Sequence, residues 1–146
     1  MSKTTNTELE SIISRLRGMG MRKTASLTAV LETLLDADRP LTITEISERL
    51  PSSVRCDPAT IYRILEKLEK SRVVRKLGMH ERAMYFELLA KETHHDYLLC
   101  TSCGSITQVS AACPVGALET HLRETTGFSE LSHELVFYGV CPDCST

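Results

Sequence analysis

The sequence predicts an α+β protein in two parts, a helical N-terminal domain closed by a β-hairpin and a smaller C-terminal α/β domain. Three observations carry this expectation. Apolar residues recur at helical spacing through the first half, and β-rich runs begin only after a fourth helical stretch. Charge is segregated: residues 1–90 hold 15 Lys and Arg against 12 Asp and Glu, whereas residues 91–146 hold 2 against 7. Most of the cysteines and histidines lie in the acidic part. With 42% hydrophobic and 25% charged residues, the 146-residue chain has the composition of a folded rather than a disordered protein.

The elements follow in order. Ile12, Ile13 and Leu16 begin an apolar stripe that Gly18-Met19-Gly20 interrupts. Leu27, Val30, Leu31, Leu34 and Leu35 mark a second helix, ended by Asp38-Arg39-Pro40. Thr42 or Thr44 caps a short third helix carrying Ile43, Ile46 and Leu50, which Pro51 stops. Asp57-Pro58 places an N-cap acceptor before a proline at the first helical position, opening a fourth helix with Ile61, Ile64, Leu65 and Leu68 on its buried side. Val73–Leu77 and Ala83–Leu88, separated by Gly78-Met79-His80-Glu81, read as a hairpin.

Helices followed by a hairpin are the order of a winged helix-turn-helix, which assigns residues 1–88 to a DNA-binding domain and 89–94 to a hinge. Residues 95–146 then hold a short strand Asp96–Leu99, a Cys-x-x-Cys turn and a strand Ile106–Val109. A helix from Pro114 to Thr125 carries Val115, Leu118 and Leu122 on one face. A final strand alternates Leu131, His133, Leu135 and Phe137 with Ser132, Glu134, Val136 and Tyr138.

No apolar run approaches the ~20 residues of a membrane span, and the first residues lack a signal-peptide core. A cytoplasmic location is expected. Cysteines there point to metal or redox chemistry rather than structural disulfides. Cys100-Thr101-Ser102-Cys103 and Cys141-Pro142-Asp143-Cys144 are two knuckles with 37 residues between them. Two residues between thiols let both sulfurs face one point, so four thiolates close a tetrahedral structural Zn2+ site. A redox-active pair is the alternative, but neither pair sits between a hydrophobic strand and a following helix. The closed shell leaves no position for a catalytic water and no nucleophile–base motif appears, so an enzyme is not expected. Cys56 reads as a packing residue, and Cys113, before Pro114 at a helix start, as a packing residue or a reactive thiol.

On the fourth helix the apolar stripe leaves Ala59, Tyr62, Arg63, Glu66 and Lys67 on the outer side. Such a face suits a DNA major groove, with Arg63 and Lys67 for guanine or phosphate and Tyr62 for phosphate or a thymine methyl. Arg22 and Lys23, with Arg75, Lys76 and Arg82 on the hairpin, add candidate backbone contacts.

These motifs together resemble the ferric-uptake-regulator (Fur) family of bacterial metal-responsive repressors. The resemblance rests on Gly20-Met21-Arg22-Lys23-Thr24 and on Ala59-Thr60-Ile61-Tyr62-Arg63-Ile64-Leu65, which adds Thr60 to the DNA-facing set. It continues through Tyr85-Phe86-Glu87-Leu88 and His94-His95-Asp96-Tyr97-Leu98-Leu99-Cys100-Thr101-Ser102-Cys103-Gly104. It ends on Gly127-Phe128-Ser129-Glu130-Leu131-Ser132-His133 and Gly139-Val140-Cys141-Pro142-Asp143-Cys144. The double knuckle and the Gly-Phe-Ser segment look most like the zinc-uptake branch.

The resemblance implies a homodimer that binds double-stranded operator DNA, with a four-Cys zinc and a second, regulatory metal. The chain departs from the family at that second metal. The usual His-His-Asp-His run is His94-His95-Asp96-Tyr97 here, and the acidic ligand after the first knuckle aligns with Gln108. Glu87 and His95 remain of the inter-domain set, with His80 as a further hinge candidate. A second group comprises His94 and Asp96, on one strand face, and His133; Cys113 or Glu119 is a candidate fourth ligand. Imidazole and carboxylate together suit Zn2+, Fe2+ or Mn2+. The expected function is a metal-dependent repressor of metal-homeostasis genes. A peroxide- or redox-responsive regulator of the same fold and a thiol-based enzyme are the alternatives.

Overall fold

The computed structural model describes residues 3–78, 84–89, 96–109 and 112–146. The chain forms two compact units, Met1–Lys91 and Glu92–Thr146. No helix among the described residues is long and apolar enough to cross a membrane.

The first unit runs α1 (Lys3–Gly18), α2 (Ala25–Asp36), β1 (Leu41–Thr42), α3 (Ile43–Arg49), α4 (Pro58–Lys70), β2 (Val74–Gly78) and β3 (Met84–Leu88). Its helices begin where local chemistry satisfies their orphan N–H groups. Leu27 N–H donates to Thr24 Oγ1 at 3.1 Å. At α3, Glu45 N–H donates to Thr42 Oγ1 while Thr42 N–H donates back to the Glu45 carboxylate at 2.8 Å, a complete capping box. Arg39 adds a forked contact to the same carboxylate, 2.9 and 3.2 Å. Burial of Glu45 works against its charged form, but the Arg39 guanidinium and the Thr42 bonds outweigh it and lower the carboxyl pKa.

The apolar stripes meet in one core. Leu9, Ile13 and Leu16 of α1 pack with Leu27, Val30, Leu31 and Leu34 of α2 and with Ile61, Leu65 and Leu68 of α4. Val73, Val74 and Phe86 seal it from the hairpin side. Leu65 is fully buried; its truncation to Ala costs about 2–5 kcal/mol by the usual cavity argument. The hairpin pairs Val74 with Leu88 through Gly78 with Met84. One strand escaped the sequence reading: Leu41 and Thr42 add to the far edge of β3, opposite Phe86 and Tyr85. Two residues are too few to show alternation, and Thr42 already reads as a helix cap.

The second unit is a three-stranded sheet with one helix: β4 (Tyr97–Cys100), β5 (Ile106–Gln108), α5 (Gly116–Thr126) and β6 (Val136–Gly139). β4 is central, antiparallel to β5 and parallel to β6. The last strand is shorter than the alternation from Leu131 predicts. Glu130 adopts a left-handed φ of 53°, and ladder bonding starts only where Tyr97 N–H donates to Leu135 O. His133 therefore lies in irregular chain before β6 rather than on it. α5 starts two residues later than expected and ends at Gly127, whose φ of 76° supplies the left-handed C-cap. None of its residues is buried within the single chain.

Candidate functional site

α4 presents a polar, basic face. Asp57 caps it, accepting from Thr60 N–H at 2.7 Å, and Pro58 occupies the first turn. That hydrogen bond, aided by the Arg63 charge, holds the Asp57 carboxyl below its ordinary pKa. Ile61, Leu65 and Leu68 turn inward, leaving Ala59, Tyr62, Arg63, Glu66 and Lys67 exposed and Thr60 half-buried. Arg63 folds back to donate from Nε to Ala59 O at 3.3 Å and remains exposed. Arg22 is exposed just before α2.

The four knuckle cysteines converge because β4 and β6 run parallel. Cys100 ends β4 opposite Gly139, which ends β6, so both knuckles leave the same end of the sheet. Thr101 N–H donates to Gly139 O at 2.7 Å and ties the two turns together. Gly104, with φ 75°, lets the first knuckle close onto Cys100 O. The Sγ atoms of Cys100, Cys103, Cys141 and Cys144 all lie within 4.8 Å of one another. Cys103 and Cys141 Sγ are 3.9 Å apart; sulfurs at tetrahedral corners around zinc sit about 3.8 Å apart for a ~2.3 Å bond.

Backbone N–H groups of Cys103 and Cys141 point at Cys100 Sγ, at 3.5 and 3.3 Å. They draw its thiol pKa down to about 6. Ser105 lowers that of Cys103, while the hydrogen bonds of Cys144 to Cys141 and Cys103 push its thiol up to about 12. No cysteine is in a disulfide. Four sulfur donors converging on one point fit a tetrahedral cation and leave no open catalytic position.

A second group lies beside this sheet. Donor atoms of Asp96, Cys113 and His133 also fall within 4.8 Å of one another. Asp96 is buried, and Cys113 and His133 are half-buried. His133 Nε2 lies 3.1 Å from Cys113 Sγ, and its Nδ1 lies 2.6 Å from the Glu119 carboxylate. The structure thus brings Asp96 and His133 together as expected and adds Cys113, which sequence reasoning held only as an alternative beside Glu119. The signal available was a cysteine at a helix start, with a carboxylate six residues on.

Of the hinge group, only Glu87 lies among the described residues. Glu87 pairs with Arg75 directly across the β2–β3 ladder. Tyr97 is buried and lies opposite Gln108 in the β4–β5 register. His80, His94 and His95, with most of the 89–94 hinge, lie outside the described residues.

Comparison with known proteins agrees with this layout. The model of the Ferric uptake regulator family matches residues 18–138. The chain is 29% identical over 136 residues to a ferric uptake regulation protein of Neisseria meningitidis, covering 92% of this chain and 93% of that one. It is 30% identical over 139 residues to the peroxide-responsive repressor PerR of Staphylococcus aureus, covering 94% and 91%. A solved structure of the Helicobacter pylori ferric uptake regulator, described as having three functional metal binding sites, superposes with a TM-score of 0.77 at 26% identity over 94% of each chain. The helical unit with its basic α4, the four-thiol cluster at the sheet end and the match over most of the chain agree: the protein belongs to the ferric uptake regulator family, whose members are metal-dependent transcription regulators and not enzymes.

Proposed function

We propose that this protein is a homodimeric, metal-dependent repressor of metal-homeostasis genes that works in the cytoplasm. In this reading α4 enters the major groove of double-stranded operator DNA, with Tyr62 and Arg63 at base edges. Thr60, Lys67 and Arg22 serve the phosphates. The carrying observation is the exposed row Ala59, Tyr62, Arg63 and Lys67 over a buried stripe, on a helix whose start is fixed by Asp57. Anchoring the helix at its N-terminus and core side turns its remaining face into a rigid reading surface.

Cys100, Cys103, Cys141 and Cys144 hold a structural Zn2+ in this proposal. A bound cation there neutralises thiolates and cross-links the chain end to β4. Asp96 and His133, with His94, form the second, regulatory site for a divalent cation (Zn2+, Fe2+ or Mn2+); Glu87, His95 and His80 form the hinge group. Metal at a regulatory site favours the DNA-competent arrangement only to the extent that it binds that arrangement more tightly.

Exposed apolar surface on the second unit supports the dimer. Leu118 and Leu122 on α5, Leu98 on β4, Phe137 and Tyr138 on β6, and Phe128 after α5 are all exposed in the single chain. Several large apolar side chains exposed on so small a unit support a contact surface there.

The test is fluorescence anisotropy of a labelled operator duplex with protein carrying one zinc per chain. Added divalent metal should tighten binding and chelator should reverse it. Binding that ignores both would sink the sensing role. A peroxide-responsive regulator is the second reading, favoured by the 30% identity to PerR; loss of DNA binding on peroxide treatment, restored by thiol reductant or fresh metal, would select it.

A further inference from the structure

We infer that Cys113 is a ligand of the second metal and makes that site a thiolate site for zinc-class divalent cations, selecting against Mn2+. The inference rests on the proposed reading of Asp96 and His133 as a metal site and deepens it by assigning the third donor and the class of ion.

Three chain segments far apart in sequence deliver the donors. Asp96 immediately precedes β4, Cys113 lies before α5, and His133 lies before β6. Asp96 is one of only two buried polar or charged residues among those described, so a carboxylate is held at the site away from bulk water. A buried carboxylate is retained where a partner compensates it.

The orientation of the imidazole is the second observation. His133 turns Nδ1 to Glu119 at 2.6 Å and Nε2 to Cys113 at 3.1 Å. A ring held by a carboxylate at one nitrogen, with the other facing a donor cluster, is the arrangement of a metal-ligating histidine and its outer-shell partner. Glu119 is thereby a positioning residue that fixes the tautomer. A thiolate sulfur and an imidazole nitrogen on one tetrahedral zinc stand about 3.5 Å apart. The observed pair needs only a slight separation to admit the ion.

Selectivity follows from the donor set. Asp96 and His133 alone suit zinc, iron and manganese alike, because carboxylate and imidazole are hard-to-borderline donors. A thiolate as third donor shifts the preference toward borderline and soft ions, which bind sulfur strongly, and away from Mn2+. Two anionic donors also neutralise one divalent charge, which the half-buried setting favours.

The experiment uses full-length protein with its first zinc in place, titrated with Co2+ and read by near-ultraviolet absorption, with zinc release monitored. Affinities of the second site for Zn2+ and Mn2+ are measured by competition. In the native protein the first equivalent of Co2+, which is the second metal per chain, should add thiolate-to-metal charge-transfer absorption that Cys113→Ser lacks. Cys113→Ser should lose at least the roughly tenfold in Zn2+ affinity that removal of even an outer-shell partner costs, with a smaller loss for Mn2+. Cys113→Glu should narrow the Zn2+ over Mn2+ preference, and Glu119→Gln should weaken both ions together. Circular dichroism checks that each variant folds. A second metal that binds without thiolate absorption and with equal affinity in Cys113→Ser overturns the role of Cys113 while leaving the second site standing. No second metal at all removes the site and the inference together.

Discussion

Arg75 and Glu87 stand opposite each other across the β2–β3 ladder and close an ion pair whose side chains are 16% and 14% exposed. Glu87 is one of the residues expected at a hinge metal. Here a guanidinium on the neighbouring strand already balances its charge. The pair belongs to the same hairpin whose other residues, Val74 and Phe86, seal the core of the first unit.

Removing one partner leaves the other largely buried and without its cross-strand counter-charge. Glu87→Ala should destabilise the first unit by about 2 kcal/mol, the scale of losing a charge-assisted bond at a partly dry site. The double change Arg75→Met with Glu87→Leu should recover most of the loss. Urea unfolding of the single and double variants checks this, and a Glu87→Ala protein of unchanged midpoint would contradict it.

Cys103→Ser removes one corner of the four-thiol site. The second unit should lose its zinc and its fold, because metal-coupled folding at such sites is worth ~10 kcal/mol or more. Zinc content per chain together with near-ultraviolet circular dichroism reads the outcome. A folded dimer without zinc would refute the structural role. Strong chelators should act as the substitution does.

DNA contacts on α4 separate by chemistry. Arg63→Ala should weaken a specific operator by ~1–3 kcal/mol if it reads a base edge. Lys67→Ala should instead weaken all duplexes alike and flatten the salt dependence. Anisotropy titrations on operator and scrambled duplexes at several salt concentrations distinguish them. Equal operator affinity in Tyr62→Ala and Arg63→Ala would move the reading surface elsewhere.

Apolar exposure on the second unit predicts the assembly. Leu118→Asp or Phe137→Asp should shift a dimer to monomers by placing a charge in the contact, while leaving the four-thiol site occupied. Sedimentation equilibrium beside zinc analysis measures both at once.

The Asp57 cap gives a pH signature. Its carboxyl is held below the ordinary value of 3.8, first by the Thr60 hydrogen bond. A depressed folded pKa means the charged cap favours the folded state above that ordinary value and loses its effect as pH falls through the folded one. The thermal midpoint gap between native protein and Asp57→Ala should therefore be full near neutrality and shrink in acid. A gap independent of pH would show that the charge contributes nothing.

Local features of this chain were legible in its sequence because local interactions determine them. The stripe Leu27, Val30, Leu31 and Leu34, the Asp57-Pro58 start of α4 and the outward row around Tyr62 depend on helical periodicity and capping within a few residues. Two residues between cysteines likewise suffice to mark each knuckle. What joins the knuckles is the parallel pairing of β4 with β6, which sets Cys100 beside Gly139 across 38 intervening residues of chain and is invisible to any window. The same holds for Cys113, whose neighbour His133 is 20 residues away, and for Glu119, 14 away. Where the final strand begins was also decided in three dimensions, since the alternation starts at Leu131, just after the left-handed Glu130, but ladder bonding begins only where Tyr97 N–H meets Leu135 O. Periodicity and spacing name the donors; strand register and loop closure decide which of them share one point in space.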